Sequence, residues 1–281
     1  MIVRKASFND VLGIVKCHLS DVNIPDYERL SVEERYRYGG PWMSVETCSI
    51  HLNYLFLYRH PVLVAEESGE IVGEVEALIS KEHFLGKIRK ICHVEVLMVK
   101  ESHRRRGIGR RLMEAVEDIA RKEGCELITT TPEDRSYKFY KKLGYEDAFE
   151  GTIVKIDTEN FHKISGMKVE FPWENVMRLK MVAGMFQSSY HHWFTSFVDI
   201  IAGIDKIISS GIVGRSYYVL RELPNGSGGL YVWGSEEDIP KALRIAKGTF
   251  KTVITVLNGK MAEKYGDIIG KNVAVAKNLK G

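Results

Sequence analysis

The sequence predicts an α+β fold in which helices pack against a mixed β-sheet. Strand patterns alternate with helical patterns between residues 91 and 145, and hairpin patterns flank the turns at 67–70 and 224–226. The chain has 281 residues, of which 44% are hydrophobic and 27% are charged, and this length suffices for one large domain or two ordinary ones. We expect two domains, at residues 1–157 and 158–281.

The elements before residue 100 follow from hydrophobic spacing and turn residues. Residues 21–60 are rich in aromatic and charged side chains and are the hardest segment to interpret. The expected elements are strands at 2–6, 62–65, 71–75 and 91–99, a helix at 8–20 capped by Ser7 or Asn9, and two helices within 21–60 separated at Gly39-Gly40-Pro41.

The best-defined helix follows the strand at 91–99. Its apolar face consists of Leu112, Met113, Val116, Ile119 and Ala120, and Gly124 lies where a C-terminal glycine is expected.

A short buried strand is expected at 127–130. The next helix is expected to start with Thr131 as its cap and Pro132 in the first turn, and to end at Gly144.

The character of the chain changes after residue 158. The pattern predicts helical structure over 172–209 with large apolar side chains, which favours core or dimer packing. The remaining expected elements are a hairpin at 217–220 and 230–233, helices at 238–247 and 261–269, and strands at 252–257 and 272–276.

Composition and charge argue against several classes of protein and of binding site. A formal net charge of +3 argues against a general nucleic-acid binder. The four cysteines, Cys17, Cys48, Cys92 and Cys125, have neither zinc-ligand nor disulfide-framework spacing, so we expect no metal and a reducing cytoplasm. The pair His191-His192 is expected to be exposed on a helix rather than to bind a metal. The first residues read as a strand and not as a signal peptide, and no apolar stretch is long enough to span a membrane.

The main chemical signal lies between residues 97 and 113, where a strand ends and a glycine-containing loop leads directly into a helix. Gly107 and Gly109 lack the Cβ that would keep backbone N–H groups away from a diphosphate. The helix N-terminus supplies unpaired N–H groups and a positive dipole end, and the neighbouring arginines supply charge. The spacing matches neither a Walker loop nor a Rossmann fingerprint.

This segment resembles the R/Q-x-x-G-x-G/A signature of the GNAT N-acetyltransferase superfamily, with Arg104, Gly107 and Gly109 at the signature positions. Leu97-Met98-Val99 matches the L-x-V strand of that family, and Leu112-Met113 matches its apolar pair. A second match, residues 136–145, resembles the N-x-x-A-x-x-F-Y-x-x-x-G-F segment, although Glu133 stands where the family often has Asn. The resemblance implies α/β/α layers around a mostly antiparallel sheet.

The resemblance also implies acyl transfer, usually of an acetyl group, from coenzyme A to an amine on a small molecule or a protein. Tyr140 matches the family tyrosine that protonates the leaving thiolate, with core packing as the alternative role. The residues expected to bind acetyl-CoA are Leu97, Met98, Val99, Arg104, Arg105, Arg106, Gly107, Ile108, Gly109 and Arg110.

The sequence leaves several candidates for the general base. Glu95 lies on the strand that leads into the loop, where burial can raise its pKa, and His93 lies on the same face of that strand. Glu74 and Glu76 on the neighbouring strand, or a chain of waters, are alternatives.

Two other functions compete with the enzyme. The first is a non-catalytic acyl-CoA-binding or regulatory protein in which Tyr140 is structural. The second is an RNA-associated protein that uses the arginine run. A homodimer is compatible with each of them.

Residues 119–144 match residues 245–270 without a gap, which indicates a degenerate GNAT-like copy in the second half. That copy lacks the glycine loop and has Gly266 where Tyr140 stands, so it is not expected to bind coenzyme A.

Overall fold

The structure is a computed structural model, and it describes residues 1–184, 188–197 and 207–280. Its internal contacts divide the chain into two units. Unit 1 contains Met1–Ser80, Lys90–Ile128 and Asn278–Gly281, and unit 2 contains Lys81–Arg89 and Thr129–Lys277. The domain boundary between residues 157 and 158 stays a prediction, because a division by contacts does not test which segments fold alone.

The first unit follows the order expected from the sequence. Its sheet has the strand order β1-β2-β3-β4-β5, and β2 pairs antiparallel with both β1 and β3. The elements that begin in unit 1 are β1 (Ile2–Lys5), α1 (Val11–Leu19), α2 (Val32–Gly39), α3 (Val45–Leu57), β2 (Val62–Glu67), β3 (Glu70–Phe84), β4 (Lys87–Val99), α4 (Ile108–Lys122) and β5 (Leu127–Thr130).

The helix α4 buries one face against this sheet. Leu112, Met113, Val116 and Ala120 have no exposed surface, as the sequence pattern predicted. Burial of each large side chain among them contributes about 1.5–3 kcal/mol, which holds the start of α4 in a fixed position on the sheet.

Strands β3 and β4 extend well beyond the predicted segments. They are joined by Leu85 and Gly86, whose φ values of 50° and 83° are both left-handed, the arrangement of a tight hairpin turn. This turn was not predicted from the sequence, because leucine is an uncommon residue in the left-handed region.

The second unit is also an α+β structure. Its sheet has the order β12-β6-β11-β10-β9-β8, with β7 paired to β10, and only the β10–β11 pairing is parallel among those described. The remaining elements are α5 (Asp134–Lys142), β6 (Glu146–Asp157), α6 (Trp173–Val176), β7 (Met181–Ala183), α7 (Ser189–Phe197), β8 (Ile207–Val213), β9 (Ser216–Glu222), β10 (Gly228–Trp233), α8 (Ile239–Ala246), β11 (Thr252–Leu257), α9 (Gly259–Tyr265) and β12 (Asp267–Asn278).

Four predictions for this unit were wrong. One is the helix at 261–269, because α9 ends at Tyr265 and β12 begins at Asp267. Helix α5 begins at Asp134, because its N-cap Glu133 is extended, with φ −66° and ψ 155°; Thr131 and Pro132 therefore precede the helix. The segment 172–209 contains strand β7 and the start of β8 besides two short helices; its residues 185–187 and 198–206 lie outside the described residues. His191 and His192 are buried, at 6% and 3% exposure, because α7 is enclosed by aromatic side chains of its own unit.

The second half repeats the secondary structure of the first. The matched segments contain the end of α4, β5 and α5 in the first copy and the end of α8, β11 and α9 in the second, in the same order. Among the described residues, no helix combines the length and the apolar character that crossing a membrane requires.

Candidate active site

The loop between β4 and α4 is shaped by two left-handed residues. Arg105 has a φ of 63° and Gly107, the N-cap of α4, has a φ of 82°. A Cβ at Gly107 would meet nothing within 4 Å, so glycine is favoured there by backbone conformation and not by crowding. The loop therefore turns directly into the first turn of α4.

A glycine on the neighbouring strand brings this loop close to the sheet. A Cβ at Gly73 would lie 2.9 Å from the carbonyl oxygen of Met98 and 3.2 Å from Cδ1 of Leu112. Any larger residue at position 73 would push β4 and α4 away from β3. Gly73 thus fixes where β4 ends relative to the start of α4.

The N-terminus of α4 has no side-chain cap. The first N–H groups of a helix have no partner within the helix, and the helix dipole places positive charge at this end. The N–H groups of Ile108, Gly109 and Arg110 are therefore available to an anion, which is the arrangement that binds phosphate groups in many proteins.

The arginines of the loop divide into two groups. Arg104 is used within the protein: its Nε donates to the carbonyl oxygen of Val99 at 3.1 Å, and its Nη2 lies 2.7 Å from Oδ2 of Asp21. Arg106 lies 3.7 Å from a carboxylate oxygen of Glu67. Within the described part of the chain, no ion pair involves Arg105, Arg110 or Arg111, all of which are exposed. These three guanidinium groups are the ones available for phosphates.

The predicted coenzyme A residues are contiguous in the structure. Leu97, Met98 and Val99 form the half-buried end of β4, and residues 104–110 form the loop and the first turn of α4. The loop and the first turn of α4 can therefore bind a diphosphate next to the half-buried end of β4.

The two predicted bases on β4 differ in environment. His93 is 2% exposed, and burial lowers the pKa of its imidazole to about 3. It is therefore neutral and weakly basic near pH 7, which does not favour His93 as the general base. Glu95 is only half-buried and is the more accessible of the two.

Glu95 lies beside a buried pair on α3 and β3. Nε2 of His51 is 2.8 Å from Oε2 of Glu76, and Nε1 of Trp42 donates to Oε1 of Glu76 at 3.1 Å. One ligand atom each from His51, Glu76 and Glu95 lie within 4.8 Å of one another, so among the described residues these three form a group that could hold a metal ion. As they stand, His51 and Glu76 form a hydrogen-bonded pair.

A second histidine–carboxylate pair lies on the same face of β3. Glu74 is completely buried and forms a hydrogen bond with Nε2 of His18, while burial raises the pKa of its carboxyl group. Oε2 of Glu74 has no hydrogen-bond partner among the described residues. Trp42 lies between the two pairs, since its indole stacks on His18 and meets His51 edge-on.

Glu74 and Glu76 were predicted from the sequence as candidate bases, whereas His18, Trp42 and His51 were not. His51 carried a usable signal, because it lies on the buried face of α3 with Cys48, Leu52 and Leu55. A histidine on an otherwise apolar helix face indicates a buried polar partner. Trp42 lies in the four-residue turn after α2 and carried no such pattern.

Tyr140 lies in unit 2, on α5, and is 5% exposed. Its ring packs edge-on against Phe139 and Tyr145, with centroid distances of 5.2 Å and 5.5 Å. Burial raises the pKa of its hydroxyl to about 12, and a hydrogen bond with Thr130 opposes this rise. The hydroxyl is therefore protonated at neutral pH and able to donate a proton.

The matching positions of the second copy are closed. Asp238 is the N-cap of α8 and makes no cap hydrogen bond, but its buried carboxylate places negative charge at this helix end, where it accepts from the backbone N of Arg215 at 2.9 Å and from Oγ of Ser216 at 2.8 Å. Gly266 replaces the tyrosine, and a Cβ there would lie 2.4 Å from the carbonyl oxygen of Lys155. These features leave neither an open anion site nor room for a phenol.

Known proteins share this architecture. Residues 24–145 match the family model described as "Acetyltransferase (GNAT) family". A solved GCN5-related N-acetyltransferase from Kribbella flavida aligns with 99% of this chain and 70% of its own, with a TM-score of 0.64 at 13% identity. At that identity the likeness shows the fold alone, and it includes the second half.

Two curated relatives match parts of the chain. Glucosamine 6-phosphate N-acetyltransferase of Trypanosoma brucei brucei is 31% identical over 30% of this chain and 56% of its own length. An N-alpha-acetyltransferase of Sulfurisphaera tokodaii is 29% identical over 52% of this chain and 80% of its own length. The chain thus spans little more than half the length of the first of these relatives.

Proposed function

Because residues 24–145 form a domain of the GNAT acetyltransferase family, we propose that this protein transfers an acetyl group from acetyl-CoA to an amine. The observation that carries the proposal is the uncapped N-terminus of α4 beside three arginines that form no ion pair with any residue the structure describes, Arg105, Arg110 and Arg111. This arrangement fits the diphosphate of coenzyme A, since it combines backbone donors, a helix dipole and fixed positive charge.

The acceptor amine must lose a proton before it attacks, because an alkylammonium has a pKa of about 10.4. We propose that Glu95 accepts this proton, since it is the more accessible predicted base and lies beside the His51–Glu76 pair. The amine nitrogen then forms a bond to the thioester carbonyl carbon, and the C–S bond breaks. A backbone N–H near Met98 or Val99 is the proposed donor to the oxyanion.

Tyr140 is the proposed acid that protonates the departing thiolate. The support is its position in the family motif, together with the fact that a phenol carries its proton at neutral pH. Holding the amine and the thioester together is expected to contribute much of the remaining rate.

The charges near Glu95 narrow the acceptor class. Glu74, Glu76 and Glu95 contribute carboxyl groups to one face of unit 1, and Trp42 contributes an aromatic ring. Glu74 and Glu76 are completely buried, so the half-buried carboxylate of Glu95 is the one that can pair with a cationic amine and repel a phosphate group. We therefore propose a cationic amine without a phosphate group, in contrast to the glucosamine 6-phosphate that names one relative.

The test is the release of free thiol from acetyl-CoA with three acceptors: putrescine, glucosamine 6-phosphate and a peptide with a free N-terminus. Putrescine is expected to give the highest kcat/KM. Glu95→Gln should lower kcat/KM by about 10²–10⁴-fold. Glu114→Gln on the exposed face of α4 is the matched control and should keep the wild-type rate.

Calorimetric titration with acetyl-CoA, together with the thiol assay, distinguishes an enzyme from a non-catalytic acyl-CoA-binding protein. One acetyl-CoA per chain is expected, because the α8 end carries Asp238 and has no open anion site. Stoichiometric binding without thiol release by any amine would favour a non-catalytic acyl-CoA-binding protein. Absence of binding would overturn the proposed function.

A further inference from the structure

A cavity of about 590 Å³ lies in unit 1, between the C-terminal ends of α3 and α4 and the strands β2 and β3. Its size falls within the range of small-molecule sites, which is about 300–1,000 Å³. None of the residues that line it belongs to the proposed active site.

The walls of the cavity are largely apolar. Three of the apolar residues, Phe56, Ile79 and Ile119, are only half-buried, so their side chains are not fully packed by the protein. Phe8, which is 54% exposed, meets Phe56 edge-on at a centroid distance of 5.2 Å and extends the apolar surface. Removal of this apolar surface from water by a ligand lowers the free energy and therefore favours binding.

Positive charge surrounds this apolar surface. Lys5, Arg59 and Lys122 line the cavity, and their side chains make no ion pair within the ranges that the structure describes. The carboxylate among the lining residues, Glu123, lies 3.5 Å from Nζ of Lys90 and is thereby neutralised. The cavity therefore carries a surplus of unpaired cations.

Arg59 occupies a backbone position that normally favours glycine. Helix α3 ends in a Schellman motif, in which the backbone N of Arg59 donates to the carbonyl oxygen of Phe56 and that of His60 to Leu55. Arg59 has a φ of 59°, in the left-handed region that penalises a side chain. A guanidinium held at the cavity despite this penalty points to a role other than ending the helix.

The cavity is separate from the phosphate-binding end of α4. Ile119, Lys122 and Glu123 are at the C-terminal end of that helix, whereas the glycine loop precedes its N-terminus. The 15 residues of α4 span about 22 Å. A ligand in the cavity is therefore not acetyl-CoA bound at the loop.

We propose that this cavity binds a small amphipathic anion, which has an apolar body and one carboxylate, sulfonate or phosphate group. The apolar body packs against Phe56, Ile79 and Ile119, and the anionic group pairs with Arg59 and Lys122. The inference is independent of the acetyl-transfer reaction, because it uses none of the residues assigned to it.

The test is calorimetric titration of the full chain with decanoate, and with decyltrimethylammonium as the probe of opposite charge. Decanoate is expected to bind at one site per chain, and the cation is expected not to bind. Arg59→Gly should weaken decanoate binding by about ten-fold or more, because a charged hydrogen-bond donor is lost. The same variant should keep or raise Tm, because glycine suits a φ of 59°.

Two further variants complete the design. Lys122→Ala should also weaken decanoate binding, and Lys16→Ala, which removes a lysine from the last turn of α1, should leave it unchanged. Equal binding of decanoate and the cation, or wild-type affinity in both Arg59→Gly and Lys122→Ala, would overturn the proposal. Absence of saturable decanoate binding would overturn it as well.

Discussion

The indole of Trp42 stacks on the imidazole of His18 with ring centroids 5.2 Å apart and planes inclined by 9°. The same indole donates its N–H to Glu76, which pairs with His51. One side chain therefore connects two histidine–carboxylate pairs, each of which has a completely buried carboxylate.

Replacement of Trp42 should affect acceptor binding more than acetyl-CoA binding. Trp42→Phe keeps an aromatic ring but removes the donor to Glu76, so we expect KM for the amine to rise about ten-fold, as for the loss of one hydrogen bond to a charged group. The calorimetric Kd for acetyl-CoA should stay unchanged. Tyr38→Phe, at an exposed position of α2, is the control, and an equal rise in KM there would contradict the role of Trp42.

Gly107 and Gly69 form a matched pair for testing the loop. Both have a φ of 82° and both have open space where a Cβ would lie, so alanine at either position should cost about 1–2 kcal/mol of backbone strain. Only Gly107→Ala should weaken acetyl-CoA binding, since Gly69 lies in the β2–β3 turn. The measurements are Tm and the calorimetric Kd. Equal affinities in the two variants would show that the conformation of Gly107 does not serve cofactor binding.

Tyr140→Phe tests the proposed acid with little change in packing. The ring contacts to Phe139 and Tyr145 can remain, so Tm should change little. Loss of the proton donor should lower kcat by about 10²-fold and leave KM nearly unchanged. Tyr145→Phe, a buried neighbour, should retain kcat; a fall of similar size there would assign the effect to packing.

Two buried histidines should make the protein less stable in acid. Burial lowers the pKa of His93 to about 3 and that of His60 to about 4, against about 6.5 in the unfolded chain. Below pH 6.5 the unfolded chain binds protons that the folded chain does not, so the free energy of unfolding falls as pH falls toward the folded pKa values. At pH 5 the loss should be about 2 kcal/mol per histidine.

Urea unfolding at pH 7 and pH 5 measures this loss. His93→Asn should reduce the difference between the two free energies of unfolding, whatever its effect at pH 7. His162→Asn, at an exposed position, should leave the difference as it is in the wild type. An unchanged difference in the His93 variant would contradict the assignment.

Local signals account for what the sequence predicted well. The start of α4 was predictable because Gly107 and the apolar face of the helix are both local features, and β11 was predicted at its observed bounds, 252–257. The hairpin turn at Leu85-Gly86 was not, because leucine is uncommon in the left-handed region, and the start of α5 was not, because Thr131-Pro132 also fits a helix start. The cytoplasmic location and the homodimer stay predictions.

Only those residues of the candidate site that are close together in the sequence could be predicted. The residues of the loop are consecutive, so a motif describes them. His18, Trp42 and His51 come from three separate segments and meet only through the fold, and each is an ordinary residue in its own segment. Long-range pairing of this kind leaves no pattern in a single sequence.

The closed positions of the second copy have an evolutionary consequence. A mutation that restored tyrosine at Gly266 would meet the backbone of Lys155, and a glycine loop added before α8 would still meet the carboxylate of Asp238. Several changes would have to occur together before any of them gave activity. If the two halves arose by duplication, single mutations therefore cannot restore catalysis in the second copy. Its sequence is free to change under selection for other properties.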